Sequence, residues 1–256
     1  MNNKKTYNPF SLEGKNILVT GASSGIGRAI AVECSKMGAN VVATARNETR
    51  LAETLAAMDS SGTHKSVIAD MADSDALAAL VESIETPLDG VVLCAGVGSS
   101  VMFPFLKTKK LRDLFDVNFF PAAELSYLLL KKKKIAKPAS VVMISSIGGN
   151  GLFLPGQSAY ASSKAALTAL AKCMATDLAP KEIRVNCILP GMVETPLIRE
   201  GYVLTEEDMK ADVQKYPLKR YGRPEEVAYA TIYLLSDASA WTTGTNLILD
   251  GGATLL

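Results

Sequence analysis

Short apolar, β-branched runs recur along this chain, and between them apolar positions fall three and four residues apart. The runs cover residues 16–20, 40–45, 66–70, 90–95, 140–145, 184–189 and 246–250. Most of them lack the alternation of a half-exposed strand, as expected of parallel strands buried on both faces. The intervening segments 25–37, 48–58, 74–84, 111–135, 158–178 and 224–235 read as helices. Strand and helix in alternation make βαβ units with right-handed crossovers. Seven such strands predict an α/β fold, a doubly wound sheet of seven parallel strands with helices on both faces.

One stretch breaks the alternation. Residues 190–222 hold Pro190, Gly191, Pro196, Gly201, Pro217 and Gly222, with an acidic run at Glu206, Glu207 and Asp208. Loops of this length inside a compact domain are usually functional or mobile. Residues 191–222 are therefore read as a substrate lid with short helices of its own. No linker or repeat divides the chain, so 1–256 reads as one domain.

Composition adds exclusions. The chain is 48% hydrophobic and 21% charged, enough for a large core, and its net charge is +1. That balance gives no reason to expect nucleic acid or an anionic membrane as partner. The first ten residues have no apolar core of a secretory signal, and no run reaches bilayer length, so a soluble, cytoplasmic protein is expected. Cys34, Cys94, Cys173 and Cys187 form no CxxC pair and read as buried, reduced thiols. His64 is the one histidine, in a polar stretch that reads as a solvated loop. A Ser-His-Asp hydrolase or a multi-histidine zinc site has nothing to build with, and no metal is expected. The run Lys131 to Lys134 reads as a solvated helix end, where cations are favoured.

The first run leads into Thr20, Gly21, Ala22, Ser23, Ser24, Gly25, Ile26, Gly27 and Arg28. A strand, a glycine-rich turn and a helix start form the dinucleotide-binding arrangement of a Rossmann-type sheet: glycines let the backbone approach a pyrophosphate, and the helix start offers it free N–H groups. NAD-binding folds need a carboxylate at the end of the second strand for the ribose 2′-OH. Here Thr44, Ala45, Arg46 and Asn47 stand there, with no acid, and a guanidinium holds a 2′-phosphate bidentately. NADP(H) is the predicted cofactor, with Arg28 as a second cation and Asp70 and Met71 placed to cap the adenine.

Tyr160 and Lys164 lie four apart at the start of a predicted helix and share one face. A phenol, with a reference pKa of about 10, needs about 4 kcal/mol of preferential phenolate stabilisation to work near neutral pH. An ammonium one turn away, beside a cationic nicotinamide ring, supplies it.

Taken together, these motifs make the chain resemble the short-chain dehydrogenase/reductase family over nearly its whole length. The glycine turn, Asn118 in its Val-Asn-Phe context, Ser146, the Tyr160/Lys164 pair, Pro190-Gly191 with Thr195, the Gly222 to Ala228 segment and Asp250-Gly251-Gly252 carry the likeness. The resemblance implies that Ser146 hydrogen-bonds the substrate oxygen and that Tyr160 exchanges its proton. Lys164 would hold the ribose, and Asn118 a proton-relay water. Ala95, Gly96, Pro190, Gly191, Val193 and Thr195 would complete the cofactor site.

Three departures stand out. Leu93-Cys94-Ala95-Gly96 replaces the family's Asn-Asn-Ala-Gly, which removes polar side chains that brace the sheet. Ser146 precedes Tyr160 by fourteen residues where thirteen is usual, and Ser145 by one more. Ser24 stands where many NADP-using members have a basic residue, so selectivity leans on Arg46.

Val97 to Phe105, Ile147 to Leu154 and Thr195 to Tyr216 are expected to line the substrate pocket, with Val101, Met102, Phe103, Phe105, Leu152 and Phe153 favouring an apolar or extended substrate. The overall pattern looks most like 3-oxoacyl-carrier-protein reductases, with Lys137 and Lys181 as cations near the mouth for an acidic carrier. The alternatives are a dehydrogenase of a steroid, polyol or sugar-like alcohol, or a non-catalytic NADP(H)-binding regulator. The resemblance also implies a homotetramer.

Overall fold

The computed structural model describes residues 7–196, 198 and 205–255. Seven strands form one sheet: β1 (Asn16–Thr20), β2 (Asn40–Ala45), β3 (Lys65–Ile68), β4 (Leu88–Leu93), β5 (Ile135–Ile144), β6 (Ile183–Pro190) and β7 (Asn246–Leu249). Their order is β3-β2-β1-β4-β5-β6-β7, and every pairing is parallel. The helices are α1 (Gly25–Lys36), α2 (Glu48–Ala56), α3 (Ser74–Glu82), α4 (Thr108–Asn118), α5 (Phe120–Lys131), α6 (Ser158–Leu178), α7 (Glu206–Val213) and α8 (Pro224–Leu235). The predicted α/β class and seven parallel strands hold. Among the described residues no helix is long and apolar enough to cross a membrane.

The core shows why the strands are apolar throughout. Successive side chains point to opposite faces. Ile17 and Val19 join the cluster under α1 and α8, while Leu18 joins the one under α3, α5 and α6. Val92 and Val142 join the first cluster; Val91 and Val141 join the second. Both faces are covered, so neither face of β1, β4 or β5 is polar.

The single helix expected over 111–135 is corrected to two helices and a strand start. Asn118 ends α4, Phe119 turns, and Pro121 sits in the first turn of α5, where its missing N–H costs nothing. Lys132 and Lys133 close α5 and Ile135 already pairs with Leu88. The lysine run is anchored locally: Lys132 meets Glu82 at 2.6 Å, Lys134 donates to the Ile84 carbonyl, and Lys131 lies over the Tyr127 ring.

Two smaller expectations are also revised. Cys34 and Cys187 are buried, but Cys173 is exposed on α6. His64 is not merely a solvated loop residue. Its Nδ1 accepts from the Val41 amide at 3.2 Å and its Nε2 meets the Asp59 carbonyl at 2.7 Å, tying the loop before β3 to β2.

Candidate active site

The strand order reverses direction between β1 and β4, where crossovers leave to opposite sides and a crevice opens at the carboxyl ends. A cavity of about 570 Å³ lies there. Gly21, Ser23, Ser24, Gly25, Ile26 and Gly27 form one wall, with Arg46, Asp70 and Met71 at one end. Ala95, Gly96, Tyr160, Lys164 and Thr195 also line it.

The start of α1 is built for an anion. Ser24 is its N-cap, yet its side chain makes no capping bond, and no acid stands in the first turn. By contrast, Asn47 and Asp73 cap α2 and α3 with their own side chains. Gly21 has φ +69°, and a Cβ there would lie 2.9 Å from Ala95 Cα; one at Gly27 would lie 2.3 Å from the Gly21 carbonyl. These two glycines bring β1, β4 and α1 together, leaving helix N–H groups pointing into the cleft. A pyrophosphate fits that cradle.

The far end carries the cations. Arg46, just past β2, approaches Asp70 at 3.7 Å, and both are substantially exposed. Asn47 and Arg50, in the first turn of α2, line the same end. Arg50 was not read from the sequence; its spacing of four from Arg46 across a helix start was the available signal. Arg28 is exposed on α1 and is not among the lining residues.

The other end holds the phenol and amine. Lys164 is buried and donates to the Ile144 carbonyl at 2.9 Å. Burial pulls its pKa below the ordinary lysine value, while the nearby Cys94 and Cys187 sulfurs act the other way. Cys94 lines the cavity, and burial pushes its thiol up to about 12, against the pull of Lys164. It is therefore a neutral thiol near neutral pH. The turn after β4 is braced by Thr20, whose hydroxyl accepts from the Cys94 and Ala95 amides at 3.0 and 3.1 Å.

The two serines after β5 face different ways. Ser145 is buried and donates to the Lys164 carbonyl at 2.8 Å. Ser146 is half-buried and accepts from the Gly148 amide at 3.1 Å. A Cβ on Gly148 would lie 3.4 Å from Ser146 Oγ and 3.9 Å from Tyr160 Cε1, so serine hydroxyl and tyrosine ring flank one point. Asn118 is buried beneath. Its Oδ1 accepts from Val97 N at 2.8 Å, and its Nδ2 donates to Val97 O and Ser163 Oγ at 3.0 and 3.1 Å.

Several predicted residues stand outside the cavity wall, Ser146 and Asn118 among them, whereas Ser145 lines it. Pro190 ends β6, Gly191 packs on Asp250, and Val193 is buried in a bridge to Gly222. Of the predicted substrate-lining segments, only Val97, Thr195 and Pro196 reach the wall. Met102, Phe103, Phe105 and Phe153 are exposed to solvent instead. In the predicted lid, residues 197 and 199–204, Gly201 among them, lie outside the described residues. α7 is a short helix within that stretch, whose end is tied by the Arg220–Glu226 pair and by the Gly222 amide on the Met192 carbonyl. Lys137 and Lys181 are corrected. Lys137 lies near the start of β5, before its pairing with β6 begins at Ala139, and Lys181 just precedes β6, so both stand at the amino ends of the strands, roughly 20 Å along the sheet from the cleft.

The comparisons with known proteins agree with this geometry. A family model described as enoyl-(acyl carrier protein) reductase matches residues 21–254. A 3-oxoacyl-[acyl-carrier-protein] reductase, FabG, of Pseudomonas aeruginosa is 33% identical over 249 residues, covering 95% of this chain and 98% of its own. The structure of the RhlG/NADP active-site complex from the same species aligns with TM-score 0.90 at 29% identity, over 97% of this chain and 100% of that one. A 7α-hydroxysteroid dehydrogenase complexed with NADH and 7-oxo glycochenodeoxycholic acid aligns with TM-score 0.88 at 30% identity, over 96% and 98%. A nucleotide cradle at the sheet's switch point, a Tyr-x3-Lys helix beside it and these whole-chain likenesses together make this chain an oxidoreductase of the short-chain dehydrogenase/reductase family.

Proposed function

We propose that the chain reduces a ketone to an alcohol with NADPH, using Tyr160 as the general acid. A single observation carries the reading: one cavity holds a cationic end at Arg46 and Arg50 and a proton-donating end at Tyr160 and Lys164, with an anion-ready helix start between them. Bound there, NADPH supplies the hydride for the substrate carbonyl. Gly21, Ser23, Ser24, Gly25, Ile26 and Gly27 hold its pyrophosphate, and Arg46 and Arg50 its 2′-phosphate. Asp70 and Met71 flank the adenine. Ala95, Gly96 and Thr195, which line the cavity, frame the nicotinamide end, while Pro190, Gly191 and Val193 stand outside its wall.

Ser146 donates to the substrate oxygen, and Tyr160 donates first a hydrogen bond and then its proton as negative charge grows there. Lys164 favours the phenolate left behind and binds ribose hydroxyls. Both ends of the Asn118 amide are bonded to protein, so its side chain acts as a positioning group for Val97 and α6. The exposed aromatic rim suits an extended apolar ketone, of which a 3-oxoacyl thioester on a carrier is the first candidate. The 7-oxo steroid held by the structurally similar 7α-hydroxysteroid dehydrogenase makes a rigid apolar ketone the second. The proposal includes a single domain over 1–256, a homotetramer and a cytoplasmic setting.

Purified chain mixed with NADPH and a panel of 3-oxoacyl thioesters and cyclic ketones tests the reading by loss of NADPH absorbance. Tyr160→Phe is expected to lower turnover about a thousandfold with NADPH affinity unchanged. Tight NADPH binding with no turnover on any substrate favours a regulator instead.

A further inference from the structure

The adenine end of the cleft holds one group that a site built only for a 2′-phosphate would leave out. Among the described residues lining the cavity, Asp70 is the one carboxylate; the cations there are Arg46, Arg50 and Lys164. Asp70 faces Arg46 at 3.7 Å, with the two side chains 47% and 66% open to solvent. The backbone sets this meeting. β2 and β3 run in parallel register with Ala45 beside Ile68, and the Ala69 amide carries the ladder on to the Ala45 carbonyl. Asp70 therefore leaves β3 level with the residues that follow β2. Its Oδ1 accepts from the Ala72 amide at 3.0 Å, which leaves Oδ2 to face the guanidinium.

The pair has different consequences for the two nicotinamide cofactors. A phosphate monoester carries nearly two negative charges at neutral pH. To take one from NADPH, Arg46 must turn from Asp70 or be shared between two anions. NADH has a hydroxyl at that place, makes no demand on Arg46 and leaves the pair whole. Direct repulsion between carboxylate and phosphate is damped by the open water around them, so the guanidinium is where the two compete. Exposed ion pairs are weak, and this one is long, so the competition is worth several-fold in affinity rather than orders of magnitude.

We propose that Asp70 is a specificity residue acting through Arg46: by engaging the guanidinium it keeps the site open to NADH, and the chain separates the two cofactors less sharply than its cations alone would. This rests on the reading of the cavity as an NADPH site. It is distinct from any contact of Asp70 with the adenine. Both cofactors carry the same adenine, so losing such a contact lowers both affinities together and leaves their ratio alone, whereas freeing Arg46 moves the ratio.

Titrations followed by nicotinamide fluorescence, with the full chain and NADPH or NADH, measure both affinities. Asp70→Asn keeps an oxygen for the Ala72 amide and removes the charge, and its unfolding temperature checks that it folds. It is expected to raise the NADPH/NADH affinity ratio about fivefold. NADPH binding should also weaken more steeply with added salt, because the phosphate then gains an ion pair without displacing one. In an Arg46→Ala background the same substitution should move the ratio by less than about twofold. An unchanged ratio in Asp70→Asn overturns the proposal. So does a lowered one, which would make the carboxylate a guide that presents Arg46 to the phosphate. A full rise that persists without Arg46 overturns it too, since the carboxylate then acts on the phosphate directly. Arg46→Ala alone separates this inference from the reading beneath it. If that variant loses NADPH affinity while Asp70→Asn leaves the ratio unmoved, the NADPH site stands and only the role of Asp70 fails; if neither has any effect, both fail.

Discussion

Ser145 gives its hydroxyl hydrogen to the main-chain carbonyl of Lys164 at 2.8 Å, and in doing so locks the end of β5 to the helix that carries the phenol. The neighbouring Ser146 is thereby left as the serine beside the Tyr160 ring. The two residues are chemically identical and adjacent, but the geometry gives them separate work.

That division predicts opposite phenotypes. Ser146→Ala removes a donor to the developing alkoxide and is expected to lower kcat by about a hundredfold or more. Its unfolding temperature should barely move, since it loses one partly exposed bond to Gly148. Ser145→Ala loses a buried bond worth about 1 kcal/mol and should destabilise the fold by that much, with a much smaller effect on kcat. Steady-state kinetics and thermal melts on both variants decide it. A catalytic collapse in Ser145→Ala with the melt unchanged reverses the assignment.

Arg46 and Arg50 should divide the affinity for the 2′-phosphate. A charge-assisted hydrogen bond contributes about 1.5–3 kcal/mol, roughly tenfold or more in affinity. Arg46→Ala is expected to weaken NADPH binding about tenfold, because Arg50 remains at the same end of the cavity. The double variant should lose about a hundredfold, with NADH affinity nearly unchanged. Arg46→Asp should go further and turn the preference toward NADH. Titration calorimetry with both cofactors measures all three. An unchanged NADPH/NADH ratio in the double variant removes the cationic end from the cofactor site.

Arg50 also shows where reading the sequence stopped. Apolar runs bounded by glycine or polar residues gave β1, β2, α6 and α8 their observed limits. The Tyr160/Lys164 pair needed only helical spacing. The boundary inside 111–135 was hidden because Phe119, Phe120 and Pro121 continue the apolar pattern through the turn. The start of β5 was hidden because Lys137 and Pro138 interrupt its run. Cations leave no periodic trace: Arg50 and Lys110 look alike in the sequence, and only the packing of α2 and α4 sends one to the cavity and the other to solvent. Lys137 and Lys181 were misplaced for the same reason, since proximity to a strand does not say which end of the sheet it adjoins.

Lys164 is buried without a carboxylate partner among the described residues, so it should cost stability while serving the site. Burial depresses its folded pKa below the unfolded value. The penalty is therefore complete below the folded pKa, where the amine is protonated in both states. It fades as pH rises toward 10.5, where the amine is neutral in both. Lys164→Met gives up the bond to Ile144 but removes the buried charge, and is expected to stabilise the unliganded fold at neutral pH by about 2 kcal/mol, roughly 6 °C. Activity should vanish. The gain should shrink as pH approaches 10, so melts at neutral and alkaline pH test both parts. A variant less stable than wild type at neutral pH shows that the bond to Ile144 outweighs the burial of charge.

At the end of the 205–222 segment, Glu226 accepts from Arg220 through both carboxylate oxygens at 2.7 Å and from the Arg223 amide at 2.8 Å. These bonds hold its pKa down to about 2, against an ordinary value of 4.5. A carboxylate lowered on folding stabilises the native state above its unfolded pKa, and that contribution is lost as pH falls from about 4.5 to about 2. The pair is partly open to solvent, so screening limits its worth to about 1 kcal/mol. Glu226→Gln should therefore remove that much stability at neutral pH and leave the variant's acid melt flatter than wild type between those limits. The same clasp ties residues 205–222 to the body of the chain, beside the Val193–Gly222 bridge. Lys215 and Lys219 are exposed within that stretch. Cleavage there by trypsin follows the population of the open form, and 1 kcal/mol should speed it about fivefold in Glu226→Gln. Trypsin digestion with mass-spectrometric mapping reads this directly: equal cleavage rates would separate the carboxylate's effect on acid stability from any hold on residues 205–222.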